Sequence, residues 1–395
     1  MISEKMYELG SKRSVIRELF EYGKKRAAEI GSENVFDFSL GNPSIPAPES
    51  VKEAILDLVE NTDPIALHGY TSAQGDLTVR DTVAKHINGL SEKCNVTPDN
   101  IYMTSGAAAS LSICLKAVIV PEDEVITFAP FFPEYRVFAE AAGAKFSVIP
   151  PNKEDFQIDF DILGKSISEK TKAVIINSPN NPSGVVYSTE TISKLCKILT
   201  EKSKQYNHSI YLITDEPYRE LIYSNDKLPY VPDFYDNTFV CYSYSKSLSL
   251  PGERIGYIMV SPLMEEWQKV YAAVCGAGRA LGYVCASSLF QRVIARCIGD
   301  TSDISEYLEN RNFLYNSLKN MGFDCVSPSG AFYLFVKSPE EDANIFCERA
   351  KKHEILIVPG DDFGCPGYVR IAYCVKRERI EKALPSFEKL INEYK

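Results

Sequence analysis

Histidine is scarce in this 395-residue chain: only His68, His86, His208 and His353 occur. None lies in an HExxH motif, and no GxSxG is present, which argues against zinc and serine hydrolases. No two of the eleven cysteines stand as CxxC. Neither a metal cage nor a disulfide framework is expected, and mostly buried free thiols in a reducing compartment are the simpler reading. No apolar run approaches the roughly 18 residues of a membrane-spanning helix. Met1 to Arg17 is charged, is broken by Gly10 and lacks the apolar centre of a signal peptide. Internal repeats and low-complexity stretches are missing as well. A cytoplasmic protein without a membrane partner is the expectation. The formal net charge of -10 is spread along the chain, and a diffuse acidic surface disfavours nucleic acid.

What is present is ordinary globular material, 45% hydrophobic and 24% charged, enough to bury a large core. Short β-branched runs recur at Ile101–Thr104, Glu124–Ala129, Lys145–Ile149, Ala173–Asn177, Tyr211–Thr214, Phe239–Ser243 and Ile255–Val260. Amphipathic stretches such as Ala108–Val120, Phe132–Ala142 and Thr189–Tyr206 lie between them. That alternation predicts an α/β fold, a mostly parallel doubly wound sheet covered on both faces. About eight residues separate Ser245 from Arg254, too few for a parallel crossover of roughly a dozen. Ile255–Val260 should therefore run antiparallel, with Arg254 at the edge where the parallel strands end. From about Asp303 the pattern changes to a smaller α+β domain. Its expected elements are helices at Ile304–Met321, Asp342–His353 and Lys376–Glu393, and strands at Ala331–Val336, Ile355–Val358 and Val369–Tyr373. The first 45 residues join it, because Gly41-Asn42-Pro43 marks a turn before the helix Glu49–Asn61. The division is 46–290 for a large domain, and 1–45 with 291–395 for a small one.

Open α/β sheets bind ligands beyond the carboxyl ends of their strands. Ser105-Gly106-Ala107-Ala108 follows the first strand and opens a helix, a place where backbone N–H groups can face an anion. Phe132 follows the second strand and could stack on a planar group. Asn181 sits in Asn180-Asn181-Pro182-Ser183-Gly184, and its amide could donate to a phenolate oxygen. Asp215 and Tyr218 follow the fifth strand. Ser243, Ser245 and Lys246 follow the sixth, and Arg254 stands before the seventh. Each has a mundane explanation as N-cap, turn, core or surface residue. Together, at one edge of one sheet, they match the needs of a planar, phosphorylated aldehyde with a ring nitrogen.

The pattern resembles the class I/II aminotransferases of the aspartate aminotransferase superfamily, the fold-type-I pyridoxal phosphate (PLP) enzymes. The resemblance runs from Ser39-Leu40-Gly41-Asn42-Pro43 to Val369-Arg370-Ile371. Its most specific pieces are Asn181-Pro182-Ser183-Gly184, Asp215-Glu216-Pro217-Tyr218 and the stretch from Ser243 to Gly256. It implies that Lys246 holds PLP as a Schiff base and moves the substrate proton. It implies that Asp215 keeps the pyridine nitrogen protonated, while Tyr218 and Asn181 donate to the ring oxygen. Phe132 stacks on the ring; Gly106, Ala107, Ala108, Ser243, Ser245 and Arg254 surround the phosphate. Arg370 takes the substrate α-carboxylate as a bidentate pair, beside Gly41, Asn42 and Asn181. Tyr70 reaches the phosphate of a neighbouring subunit, which makes the family a homodimer with shared active sites. Ala108 stands where an aspartate-using branch has a lysine, which puts dicarboxylate specificity in question. Arg279 lies in the region where another branch places an arginine for a distal carboxylate, and a surface or dimer-interface role is the favoured reading.

The resulting expectation is transfer of an amino group from an L-amino acid to a 2-oxo acid by ping-pong kinetics, with aspartate, aromatic or neutral donors. A PLP-dependent carbon–sulfur β-lyase is the alternative, since fold does not fix reaction type. A cofactor-sensing regulator is disfavoured, because the acidic chain has no room for a complete added DNA-binding domain.

Overall fold

The computed structural model describes residues 2–11, 15–223 and 228–395. Its centre is a seven-stranded sheet. The strands are β1 (Ile101–Thr104), β2 (Glu124–Phe128), β3 (Lys145–Ile149), β4 (Thr171–Asn177), β5 (Tyr211–Asp215), β6 (Thr238–Ser243) and β7 (Gly256–Val260). They lie in the order β1-β7-β6-β5-β4-β2-β3. Strands β2 to β6 pair in parallel. Strand β7 is antiparallel to both neighbours, β1 and β6, as its short connection requires.

The sheet is buried on both faces, which explains why its strands read as continuous apolar runs. On one face Leu111 and Ile113 of the helix Ala107–Val118 and Val274 of the helix Trp267–Leu281 meet Ile175, Ile213 and Phe239. On the other, Leu195 and Leu199 of the helix Thr189–Tyr206 meet Val174 and Leu212. Each such leucine, fully buried, contributes roughly 1.5–3 kcal/mol. That helix starts where Ser188 accepts a hydrogen bond from the Thr191 N–H at 3.0 Å. Helices Glu49–Asn61, Leu77–Asn88 and Ser288–Arg296 cover the remaining part of the second face, against Met103, Val240 and Met259.

The C-terminal region forms a four-stranded antiparallel sheet, in the order Val358–Pro359, Tyr368–Ala372, Tyr333–Lys337 and Asp324–Cys325. The run expected as one strand over Ile355–Val358 divides at Ile357. Ile355–Leu356 pairs in parallel with Phe36–Asp37, while Val358–Pro359 turns to Tyr368–Ala372. Burial of both pieces hides the change of partner in the sequence. The helix Val15–Ile30 escaped the sequence reading, because it is rich in charged residues and buries only Leu19 and Gly23. Gly23 permits its close approach: a Cβ there would lie 2.8 Å from Leu356 Cδ1.

Candidate active site

Strand register assembles the site. Asn177 ends β4 opposite Asp215 at the end of β5. Ser243 ends β6 opposite Gly256, and Gly256 also faces Thr104 at the end of β1. The antiparallel strand thus begins among the ends of its neighbours, and brings Arg254 there. A cleft of about 310 Å³ opens at this edge. Gly41, Ala107, Ala108, Phe132, Asn181, Asp215, Tyr218, Ser243, Ser245, Lys246, Arg254 and Arg370 all line it.

Lys246 lies in the short helix Tyr244–Ser247, whose N-cap Ser243 accepts from the Ser245 N–H. Its Nζ donates to the Gly41 carbonyl at 2.7 Å and lies 5.4 Å from the centre of the Phe332 ring. Burial above all, with Arg370 and Arg254 nearby, lowers its pKa to about 8. Asp215 is buried too, and accepts from the Tyr135 hydroxyl at 2.5 Å through Oδ2. Its Oδ1 is buried without a partner. Burial, reinforced by Glu216, raises its pKa to about 7, while the Tyr135 hydrogen bond opposes the shift.

Arg370 comes from the smaller sheet and is 2% exposed. It donates to Asn181 Oδ1 at 3.0 Å and to the Ser39 carbonyl at 2.5 Å, and its Nε has no partner. The guanidinium lies between the rings of Tyr333 and Phe363, at 4.7 and 5.0 Å from their centres. Arg254 holds a left-handed backbone, φ 52°, a conformation rare outside glycine. Its Nη1 donates to the Pro251 carbonyl at 3.0 Å. Gly106, φ 85°, is packed against it; a Cβ there would lie 3.0 Å from Arg254 Nη2. The Ser243 and Ser245 hydroxyls share a hydrogen bond of 2.8 Å beside them. Phe132 is half-buried at the cleft wall and meets Tyr135 edge-on at 5.7 Å.

Three residues named from the sequence lie elsewhere. Asn42 is exposed and borders a different groove with Ser44 and Lys376. Tyr70 is 99% exposed, outside the cleft of its own chain. Arg279 is exposed near the end of the helix Trp267–Leu281.

The structure adds three residues that the sequence reading missed. Tyr333 shares a 3.0 Å hydrogen bond with the Tyr218 hydroxyl and abuts Gly41, where a Cβ would lie 2.0 Å from its oxygen. Tyr135 fixes Asp215. Asn177 donates to the Asp215 carbonyl at 2.8 Å and accepts from the Asn181 N–H at 2.7 Å. The signal for Tyr135 was its place one turn after Phe132; Tyr333 and Asn177 read only as strand residues.

The open polar atoms fit PLP. The unpartnered Asp215 oxygen matches a protonated ring nitrogen, and Arg254 with the Ser243 and Ser245 hydroxyls and Ala107 at the cleft wall matches a phosphate. A cleft with Lys246, Arg254 and Arg370 as its cations and Asp215 as its one carboxylate among the described lining residues suits an anionic cofactor and an anionic substrate. Fold and site together define a transaminase-type enzyme. The family description "Aminotransferase class I and II" matches residues 33–387, and the chain belongs to that family.

Its similarity to individual proteins is extensive. It is 31% identical to an aspartate aminotransferase of Thermotoga maritima over 93% of this chain and 94% of that protein. It is 28% identical to aromatic-amino-acid aminotransferase 2 of Thermococcus litoralis, over 97% of this chain and 96% of that one. A solved aminotransferase from Eubacterium rectale superposes with a TM-score of 0.97 at 58% identity, covering 100% of this chain and 99% of that one. The protein is a transaminase.

Proposed function

We propose that the enzyme uses PLP to move an amino group from an L-amino acid to a 2-oxo acid, with Lys246 as its catalytic base. The observation that carries this reading is the unpartnered Asp215 oxygen in one cleft with Lys246 and Arg370. When bound, PLP supplies an aldehyde carbon for the amino group and a ring that draws electrons from the substrate. Asp215 holds the ring nitrogen, and a cation there stabilises its buried carboxylate. Tyr218 and Asn181 donate to the ring oxygen, and Phe132 lies against the ring. Gly106, Ala107, Ala108, Ser243, Ser245 and Arg254 take the phosphate. Arg370, already desolvated and oriented by Asn181 and Ser39, takes the substrate carboxylate with its open Nε edge. Gly41 leaves room beside it. Lys246 Nζ, with a pKa drawn toward neutrality, takes the substrate Cα proton and returns one.

Aspartate and aromatic amino acids, named in the relatives, are the donors to try first. A homodimer is supported by the exposure of Ile65 and Tyr70, with Leu56 and Val59 on the adjacent helix, an apolar surface that suits a partner subunit. Tyr70 would then serve the neighbouring site. The eleven cysteines, all free, are consistent with the cytoplasm. We also propose a two-domain division, with its second boundary near residue 303 rather than 290, because the helix Ser288–Arg296 packs on Glu49–Asn61. Among the described residues no helix is long and apolar enough to cross a membrane.

The test is a donor panel against 2-oxoglutarate and pyruvate, with borohydride reduction and peptide mapping of the PLP-loaded protein. A pyridoxyl label on Lys246 and transfer that needs an oxo-acid acceptor are expected. A label on another lysine, or ammonia release without acceptor, would reject the reading.

A further inference from the structure

On the side of the Tyr244–Ser247 turn away from the cleft lies a second cavity, of about 430 Å³. Lys246 lines the cleft; Tyr244 and Ser247 line the cavity. The volume falls in the range of small-molecule sites, roughly 300–1,000 Å³. One wall is aromatic. Tyr242 stacks on Tyr257 with ring centres 5.0 Å apart, and Tyr244 stands edge-on to Tyr242 at 4.9 Å.

The lining is acidic. Arg219 is neutralised by Glu216, whose Oε2 accepts from Arg219 Nε at 2.5 Å and whose Oε1 accepts from Thr214 at 2.8 Å. His86 adds no charge near neutrality, since burial and Arg219 lower its pKa. Arg219 lies near both Glu216 and Glu220 but is ion-paired with Glu216, so among the described lining residues the carboxylates Glu220 and Asp300 outnumber the cations left to balance them. Glu220 Oε1 accepts from Tyr242 at 2.7 Å, and Tyr242 also shares a 2.9 Å hydrogen bond with Ser247. Glu220 Oε2 is buried with no partner. Such an oxygen is costly unless something charged or hydrogen-bonding meets it.

We propose that this cavity binds a small organic ammonium ion, held by the free oxygen of Glu220 and the tyrosine wall, with Asp300 at its mouth. Aromatic faces attract such cations, and a bound cation would offset the burial that raises the Glu220 pKa, holding the carboxylate charged. Among the described residues, an anion would face two lining carboxylates against one guanidinium, which Glu216 already pairs. A bare metal ion would leave the aromatic wall unused, and the described residues contain no cluster of three or more metal-ligating side chains.

The probe is choline, a quaternary ammonium that cannot condense with PLP, titrated calorimetrically into the holoenzyme. Saturable binding of one choline per chain is expected. Its neutral isostere, 3,3-dimethylbutan-1-ol, should bind at least about tenfold more weakly, as should choline to Glu220→Gln. Asp300→Asn, at an exposed position that leaves the core intact, should weaken binding several-fold. Holoenzyme whose PLP has been fixed to the protein by borohydride should bind choline unchanged. No saturable binding, equal binding of the isostere, indifference to both substitutions, or loss of binding in the reduced enzyme would each overturn the proposal. None of these readouts depends on the identity of the transamination substrate.

Discussion

The two hollows beside the Tyr244–Ser247 turn are built from opposite materials. Among the described residues the cleft is lined by small residues, one carboxylate and three cations, and its open polar atoms belong to Asp215 and Arg370. The cavity is lined by tyrosines and carboxylates, and its unpartnered carboxylate oxygen belongs to Glu220. Adjacent residues show the same contrast. Asp215 keeps one oxygen unpaired, whereas Glu216 has both engaged, by Thr214 and Arg219. Both side chains are buried, so what distinguishes a functional buried carboxylate from a structural one here is the missing partner, not the burial.

Four changes would break or sharpen that contrast. Lys246→Ala removes the cation that moves the proton, and should lower kcat by about 10²–10⁴-fold while the circular dichroism spectrum is kept. Residual turnover near the wild-type rate would remove Lys246 from the mechanism.

Next is the pH dependence of stability in cofactor-free protein. Asp215 has a pKa near 7 in the folded chain against about 3.9 when unfolded, so the folded state holds an extra proton between those values. Its stabilising contribution is present below pH 4 and is lost as pH rises through 7. Urea midpoints for Asp215→Asn should therefore decline less from pH 4 to pH 8 than those of wild type, a difference of a few kcal/mol. Parallel profiles would mean that the carboxyl is not perturbed.

Arg370→Lys keeps a charge but loses the planar fork between Tyr333 and Phe363. A loss of about 1.5–3 kcal/mol, read in kcat/KM across donors, is expected. Tyr333→Phe removes only the hydroxyl that meets Tyr218, and should cost about 0.5–1.5 kcal/mol in kcat/KM. An effect on Tyr333→Phe larger than that on Arg370→Lys would reverse the assignment of principal and supporting roles.

Much of the fold was legible because burial on both faces leaves unmixed apolar runs. All seven strands of the large sheet, and the antiparallel sense of β7, follow from such runs and from one short connection. The site was legible wherever a polar residue ended a strand: Asp215, Ser243 and, just beyond, Lys246. Residues inside strands and helices were not. Tyr333 and Tyr135 look like core aromatics in the sequence, because nothing local distinguishes a hydroxyl that meets a partner from one that meets solvent.

Chain order alone determined which groups stand at the carboxyl edge, since each βα unit returns the chain to the same side of the sheet. Only the tertiary structure decided that Arg370, more than a hundred residues beyond Lys246 in sequence, faces the same cleft, that Asp215 keeps an oxygen free and that Asn42 turns elsewhere. Those outcomes depend on how the smaller sheet packs against the larger one and on which neighbours desolvate each side chain. Both are properties of distant contacts, and no spacing along the chain encodes them.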